Sequence, residues 1–228
     1  MKCKRFMSTL AITLLILLGT NSIFAYASTE DQSEYATNDV VSEAFMNFFP
    51  NFYTEPDKYT ICDSNNQDIT EVFFNSTKHF FIENDFVGLK KYVIANKITG
   101  EKIVEENGPQ TRATRSNTVA KDFYEEINTG KVTGDMLYRV SGQYTWDINS
   151  GQITQYSNSK LTIRHLYLGE MWDEEIKILS DRATLSSGKG SVTFRVQFNL
   201  KVTANYDIIP ADVYDCGTFS GSVVGSTY

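Results

Sequence analysis

The chain has 228 residues, with 21 Lys and Arg against 28 Asp and Glu and a formal net charge of −7. At 41% hydrophobic and 13% aromatic residues it carries enough apolar material for a core, which excludes wholesale disorder. The acidic balance excludes a general nucleic-acid-binding role, which needs a basic footprint.

Residues 1–27 read as a secretory signal peptide. Lys2, Lys4 and Arg5 form a positive start, residues 10–18 an apolar stretch, and Ala25 and Ala27 a small-residue cleavage site before Ser28. The apolar run is about half of the roughly 20 residues a membrane-spanning helix needs, and no later stretch is long and apolar enough for one. The segment holds three basic residues and no acidic one, so the chain beyond it has 18 basic and 28 acidic residues, a net of −10. Two cysteines remain there, Cys62 and Cys216. An oxidising compartment allows them one disulfide; the alternative is two unpaired, largely buried thiols.

Residues 28–106 read as a small acidic helical or α+β module. After a polar stretch at 28–37, Asn38 is placed to cap a helix whose Val41, Ala44, Phe45 and Phe48 share one stripe, with Pro50 as its stop. A short strand fits 58–62. Asp68, Ile69, Thr70 and Glu71 have capping-box chemistry ahead of a helix carrying Val72, Phe73, Phe80 and Phe81. Residues 84–106 fit either a helix with Phe86, Leu89 and Val93 or a hairpin turning at Thr99 and Gly100.

Residues 107–117 have a linker's composition, with Gly108-Pro109 and no hydrophobic period. Residues 28–110 hold 15 acidic and 6 basic residues, whereas 111–228 hold 13 and 12, so the excess charge lies in front. Arg112 and Arg115 in this stretch are expected processing positions, which would make the front part removable.

From 118 to 228 the period is two. Tyr138, Val140, Tyr144 and Trp146 alternate with polar residues, and Asn149, Ser150 and Gly151 suit a chain reversal. Leu161, Ile163, His165 and Tyr167 fall on one face of a further strand. Val192, Phe194, Val196, Phe198, Leu200 and Val202 then alternate with polar residues, the pattern of a half-buried antiparallel strand. The fold class expected is mainly β: an antiparallel sandwich or open barrel of six to seven strands, preceded by a small helical module.

Signatures of the common chemistries are mostly absent from the chain. His-Glu-x-x-His, Gly-x-Ser-x-Gly, phosphate-cradling loops and dinucleotide fingerprints are absent, so no cofactor and no metal is expected. Cys62 with His79 or His165 is formally a thiol and base, but His165 reads better as a core histidine. Asp63, Asn65, Gln67 and Glu71 imitate a calcium loop whose sixth and twelfth residues, Asp68 and Phe74, are wrong. Asp173, Glu174 and Glu175 read as a solvated acidic loop. Trp146, Trp172, Tyr144 and Tyr156 are the candidate binding residues, since exposed aromatics on a sandwich stack on sugars or anchor protein partners.

The export signal, the strand at 118–124, the hairpin at 142–151 and the long strand after Gly190 together resemble a group of small uncharacterised exported proteins of Gram-positive bacteria. The likeness is one of layout and implies secretion without implying an activity. The function expected is a non-catalytic exported protein whose β domain binds an extracellular or cell-envelope partner, protein or glycan. The alternatives are an envelope-directed hydrolase using Asp or Glu and a membrane-acting, bacteriocin-like toxin.

Overall fold

The computed structural model describes residues 41–110, 113–168, 172–204 and 212–227, with backbone alone at 105–110. The export signal expected at 1–27, the polar stretch 28–37, the Asn38 cap and Arg112 lie outside the described residues.

Three helices lead the chain. Helix α1 (Glu43–Thr54) starts at Ser42, whose Oγ accepts the Phe45 N–H at 3.1 Å. Ala44, Phe45, Phe48, Phe49 and Phe52 form its buried stripe. Pro50 does not stop this helix but lies inside it. A proline removes one helix hydrogen bond, and here Phe49 and Phe52, fully buried on either side of it, outweigh that loss. A 3₁₀ turn (Pro56–Lys58) leads into β1 (Tyr59–Cys62). Helix α2 (Thr70–Glu83) is not closed by the expected box: Asp68 instead accepts both the Thr70 N–H and its hydroxyl. Asn84, with φ 56°, ends α2, and Asp85 caps α3 (Phe86–Ala95) by accepting the Gly88 N–H. The ambiguous segment 84–106 is therefore a helix followed by a strand, not a hairpin.

The rest is antiparallel sheet. Strands β2 (Thr99–Gln110), β3 (Thr114–Asn128), β4 (Thr133–Asp147), β5 (Gln152–Tyr156) and β6 (Lys160–Tyr167) join β1 in a six-stranded sheet ordered β1-β2-β3-β4, with the far edge of β4 shared between β5 and β6. Strands β7 (Trp172–Leu185), β8 (Ser191–Ala204) and β9 (Val213–Ser226) form a second sheet with β8 in the middle. The molecule is thus mainly β, with two antiparallel sheets and a small helical module before them, as its patterning leads one to expect.

The division into two modules fails at its boundary. Residues 107–110 end β2, residues 114–117 begin β3, and Asn107 pairs with Asn117 and Gln110 with Arg115. The two ends of what reads as a linker are therefore antiparallel strand, paired with each other. Helices and sheets share one compact unit, residues 39–228.

The middle strands of the large sheet, β3 and β4, are buried on both faces, which explains their paired apolar residues. On β3, Phe123 enters the core between the sheets and Tyr124 the core beneath the helices. On β4, Tyr138 and Leu137 divide in the same way. The inter-sheet core takes the whole apolar face of β8, from Val192 to Val202, each fully buried. Close approach of the sheets depends on missing side chains. A Cβ on Gly142 would overlap the Phe194 ring, and one on Gly221 would sit 2.7 Å from Phe123. Ser159, ahead of β6, joins the two sheets: its hydroxyl donates to the Arg182 carbonyl at 2.6 Å and accepts the Arg195 N–H at 2.9 Å.

Candidate functional site

The aromatic residues expected to form a binding face do not assemble into one. Tyr144 and Trp146 stack on each other at 5.5 Å inside the inter-sheet core, and Tyr144 donates to the Ser226 carbonyl. Trp172 packs edge-on against Tyr214 at the margin of that core. Of the four only Tyr156 is well exposed, at 47%. Burial of one sheet on another consumes the rings that strand patterning cannot assign to inside or outside.

Among the described residues, a polar concave surface lies on the other side of the large sheet, under α1. It is a cleft of about 680 Å³, within the size range of small-ligand sites. Asn47 and Asn51 line it from α1, Glu55 from the residue that closes that helix, Asp57 and Lys58 from the 3₁₀ turn, and Lys102, Asp122 and Arg139 from β2, β3 and β4. Strand β6 adds two successive residues, Arg164 and His165. In a regular strand these would face opposite sides. Here the pairing slips: His165 is opposite Leu137, yet Ile163 is opposite Tyr138, so Arg164 is the extra residue of a bulge. The bulge turns His165 away from the face of Leu161 and Ile163, which pack on the inter-sheet core. His165 is consequently not the core histidine the alternation suggests. Its Nε2 lies 3.2 Å from the Asn47 amide nitrogen and its Nδ1 3.5 Å from Glu43.

The charges in the cleft are unequally matched. Arg139 holds Asp122 with two hydrogen bonds, at 2.6 and 2.9 Å. Glu55 takes Lys58 at 2.9 Å and Lys102 at 3.5 Å, and the hydrogen bond and charge of Lys58 hold its carboxyl below the usual range. Lys102 also lies over the Tyr59 ring at 4.9 Å. Burial opposes its charge, but Tyr59 and Glu55 outweigh burial and its pKa stands above the ordinary lysine value. Arg164 is exposed and has no ion pair or side-chain hydrogen bond among the described residues. Four cations, Lys58, Lys102, Arg139 and Arg164, thus face three carboxylates, Glu55, Asp57 and Asp122, in a chain of net negative charge.

A second polar cluster is buried beside the cleft. Glu126 and Asp135 are direct partners across β3 and β4. Asp135, 0% exposed, accepts from Ser42 at 2.6 Å, Lys90 at 3.0 Å and Tyr124 at 3.3 Å, and Tyr124 also donates to Glu126. Burial, with the Asp135 charge adding to it, pushes the Glu126 carboxyl up to about 7 against the pull of Tyr124 and Lys90. Glu125, on the opposite face of β3, is also pushed to about 7, by burial first and then by Glu101. This cluster anchors the first turn of α1 through Ser42.

The remaining expected residues carry no such geometry. Cys62 and Cys216 are free thiols, not a bridge: Cys62 lies on β1, and Cys216 packs on the inter-sheet core from β9. Burial, together with neighbouring carboxylates, pushes both thiols up, the opposite of an activated nucleophile. His79 is exposed on α2. Asp63 accepts the backbone N–H groups of Asn65 and Gln67 and so closes a turn. Arg115 is exposed at the start of β3, and Asp173, Glu174 and Glu175 are exposed on β7. Among the described residues no group of three or more His, Cys, Asp or Glu could hold a metal ion, and no helix is long and apolar enough to cross a membrane.

Arg164 and His165 escaped the strand reading, although a signal for them exists. The apolar residues run Leu161, Ile163, Leu166, Leu168, and the step of three in a series of twos marks the bulge. Comparison of the chain with protein-family models finds no match, and comparisons with curated proteins and with solved structures find none either.

Proposed function

We propose that the chain is an exported, non-catalytic protein that binds an extracellular or cell-envelope partner through the cleft under α1. The observation that carries this reading is the β6 bulge, which presents Arg164, a cation without a partner among the described residues, beside His165 in the cleft. Bulges commonly re-aim side chains at functional sites, and an unspent guanidinium is a ready anchor for an anionic group. The hydrolase alternative has less behind it. Glu126 and Asp135 meet across two strands, but Asp135 is wholly buried and engaged by Lys90. For the membrane-acting alternative, the apolar face of β8 is covered by the large sheet.

Co-sedimentation with isolated envelopes of the producing cell tests the proposal. The unmodified protein should pellet, and Arg164→Ala and His165→Ala should each lower the bound fraction about tenfold, the scale of a binding hot spot. His79→Ala, an exposed change on α2, should not alter it. Equal retention of all four proteins would remove the cleft from consideration.

A further inference from the structure

We infer that the ligand of this cleft is an acidic carbohydrate, with its anionic group on Arg164 and its hydroxyls on Asn47, Asn51 and Asp57. The inference rests on the reading of the cleft as a binding site and concerns what the site selects.

It follows from which polar groups are already engaged. Arg139 is committed to Asp122 through both carboxylate oxygens, and Lys58 and Lys102 share Glu55. Arg164 keeps its fork of donors, which matches the paired oxygens of a carboxylate or phosphate. The two asparagines stand one helical turn apart on α1, and each donates its amide NH₂ to a backbone carbonyl one turn back: Asn47 to Glu43 at 2.8 Å, Asn51 to Asn47 at 2.9 Å. Each side-chain oxygen is then left as an acceptor without a donor among the described residues. Asp57 is exposed and unpaired there as well. Among the described residues, one unmatched cation together with three unmatched acceptors calls for a ligand that brings an anion and several hydroxyl donors. A bare inorganic anion would leave the acceptors unused, and a neutral sugar would leave Arg164 unused. Nucleotide recognition generally adds a free exposed ring for stacking on the base; of the two aromatic lining residues, Phe48 is buried and His165 is engaged through both ring nitrogens by Asn47 and Glu43.

Isothermal titration of the full exported chain tests this with four probes: glucuronic acid, a uronic-acid oligosaccharide, glucose and acetate. Glucuronic acid should bind at least about tenfold more tightly than glucose or acetate, the discrimination expected when a site's polar groups are left unpaired by an analogue. Arg164→Gln should bring glucuronic acid to the level of glucose, and Asn51→Ala should weaken glucuronic acid while leaving acetate unchanged. The change at Arg164 lies on the surface, and an unaltered thermal melt establishes that the variant folds. Tighter binding of the oligosaccharide than of the monomer assigns the source to a polymer; equal binding assigns it to a free sugar acid. Acetate binding as well as glucuronic acid overturns the carbohydrate part, and glucose binding as well overturns the anion part. If no probe binds but envelope co-sedimentation still depends on Arg164, the acidic carbohydrate is wrong and the cleft reading stands. If co-sedimentation is also lost, both fall.

Discussion

Replacing Glu126 with Gln should stabilise the protein at pH 8 and leave its stability nearly unchanged at pH 4. In the folded state this carboxyl is held at about 7, against 4.5 for the ordinary side chain, chiefly by burial and also by Asp135 across the hairpin. The folded protein therefore keeps a proton that the unfolded chain releases. Stability associated with that proton is full below pH 4.5 and is lost as the pH rises through 7. One pH unit of such a difference is worth about 1.4 kcal/mol, so the whole window amounts to about 3 kcal/mol. Glutamine is uncharged at every pH and can still accept from the Tyr124 hydroxyl, which now donates to Glu126. The variant should accordingly gain up to about 3 kcal/mol at pH 8 and about nothing at pH 4, where Glu126 is itself neutral. Urea unfolding followed by the fluorescence of Trp146 and Trp172 measures both values in one series. Comparing variant with parent at each pH cancels the titrating groups that do not interact with Glu126, leaving its own proton and its coupling to Asp135, Lys90 and Tyr124. A variant less stable than the parent at pH 8, or a gain at pH 4 as large as that at pH 8, would refute the assignment of a buried, proton-holding carboxyl.

Ser159→Ala should cost about 2–4 kcal/mol in the same unfolding assay, because the Arg182 carbonyl and the Arg195 N–H both lose their partner; a cost below about 0.5 kcal/mol would mean the two strands close on each other unaided. Gly142→Ala should cost about 1–3 kcal/mol by forcing the Phe194 ring aside. Adding Phe194→Leu to Gly142→Ala should cost less than the two single changes summed, and strict additivity of the two would show that the ring is not what the new methyl meets.

How far the sequence reveals this molecule depends on how many faces each element buries. Strand β8 is legible without coordinates because one side meets the large sheet and the other meets water, so Val192 through Val202 alternate cleanly. Strands β3 and β4 are harder to read. Phe123 and Tyr124 serve different cores, so the alternation blurs where burial is greatest. Tyr144 and Trp146 have the composition of a binding face and the location of a core, and a list of residues contains no signal that separates the two. The cleft is hidden in the sequence for another reason. It is formed by α1 crossing strands far away in sequence, and its distinctive pair depends on one extra residue in β6 that reverses the facing of His165. Residues 107–110 and 114–117 mislead in the opposite direction, since their composition permits a connector while they belong to paired strands.

The run of hydrogen bonds between β2 and β3 has a bearing on maturation. From Gly100 paired with Tyr124 out to Gln110 paired with Arg115, the front of the chain is stitched to the back along nearly the whole hairpin, and Tyr124 and Leu137 are roofed by the phenylalanines of α1. A protease that severs the backbone at Arg115 would therefore liberate no propeptide. It would leave a nicked molecule whose two fragments travel together in a native column and part only in denaturant.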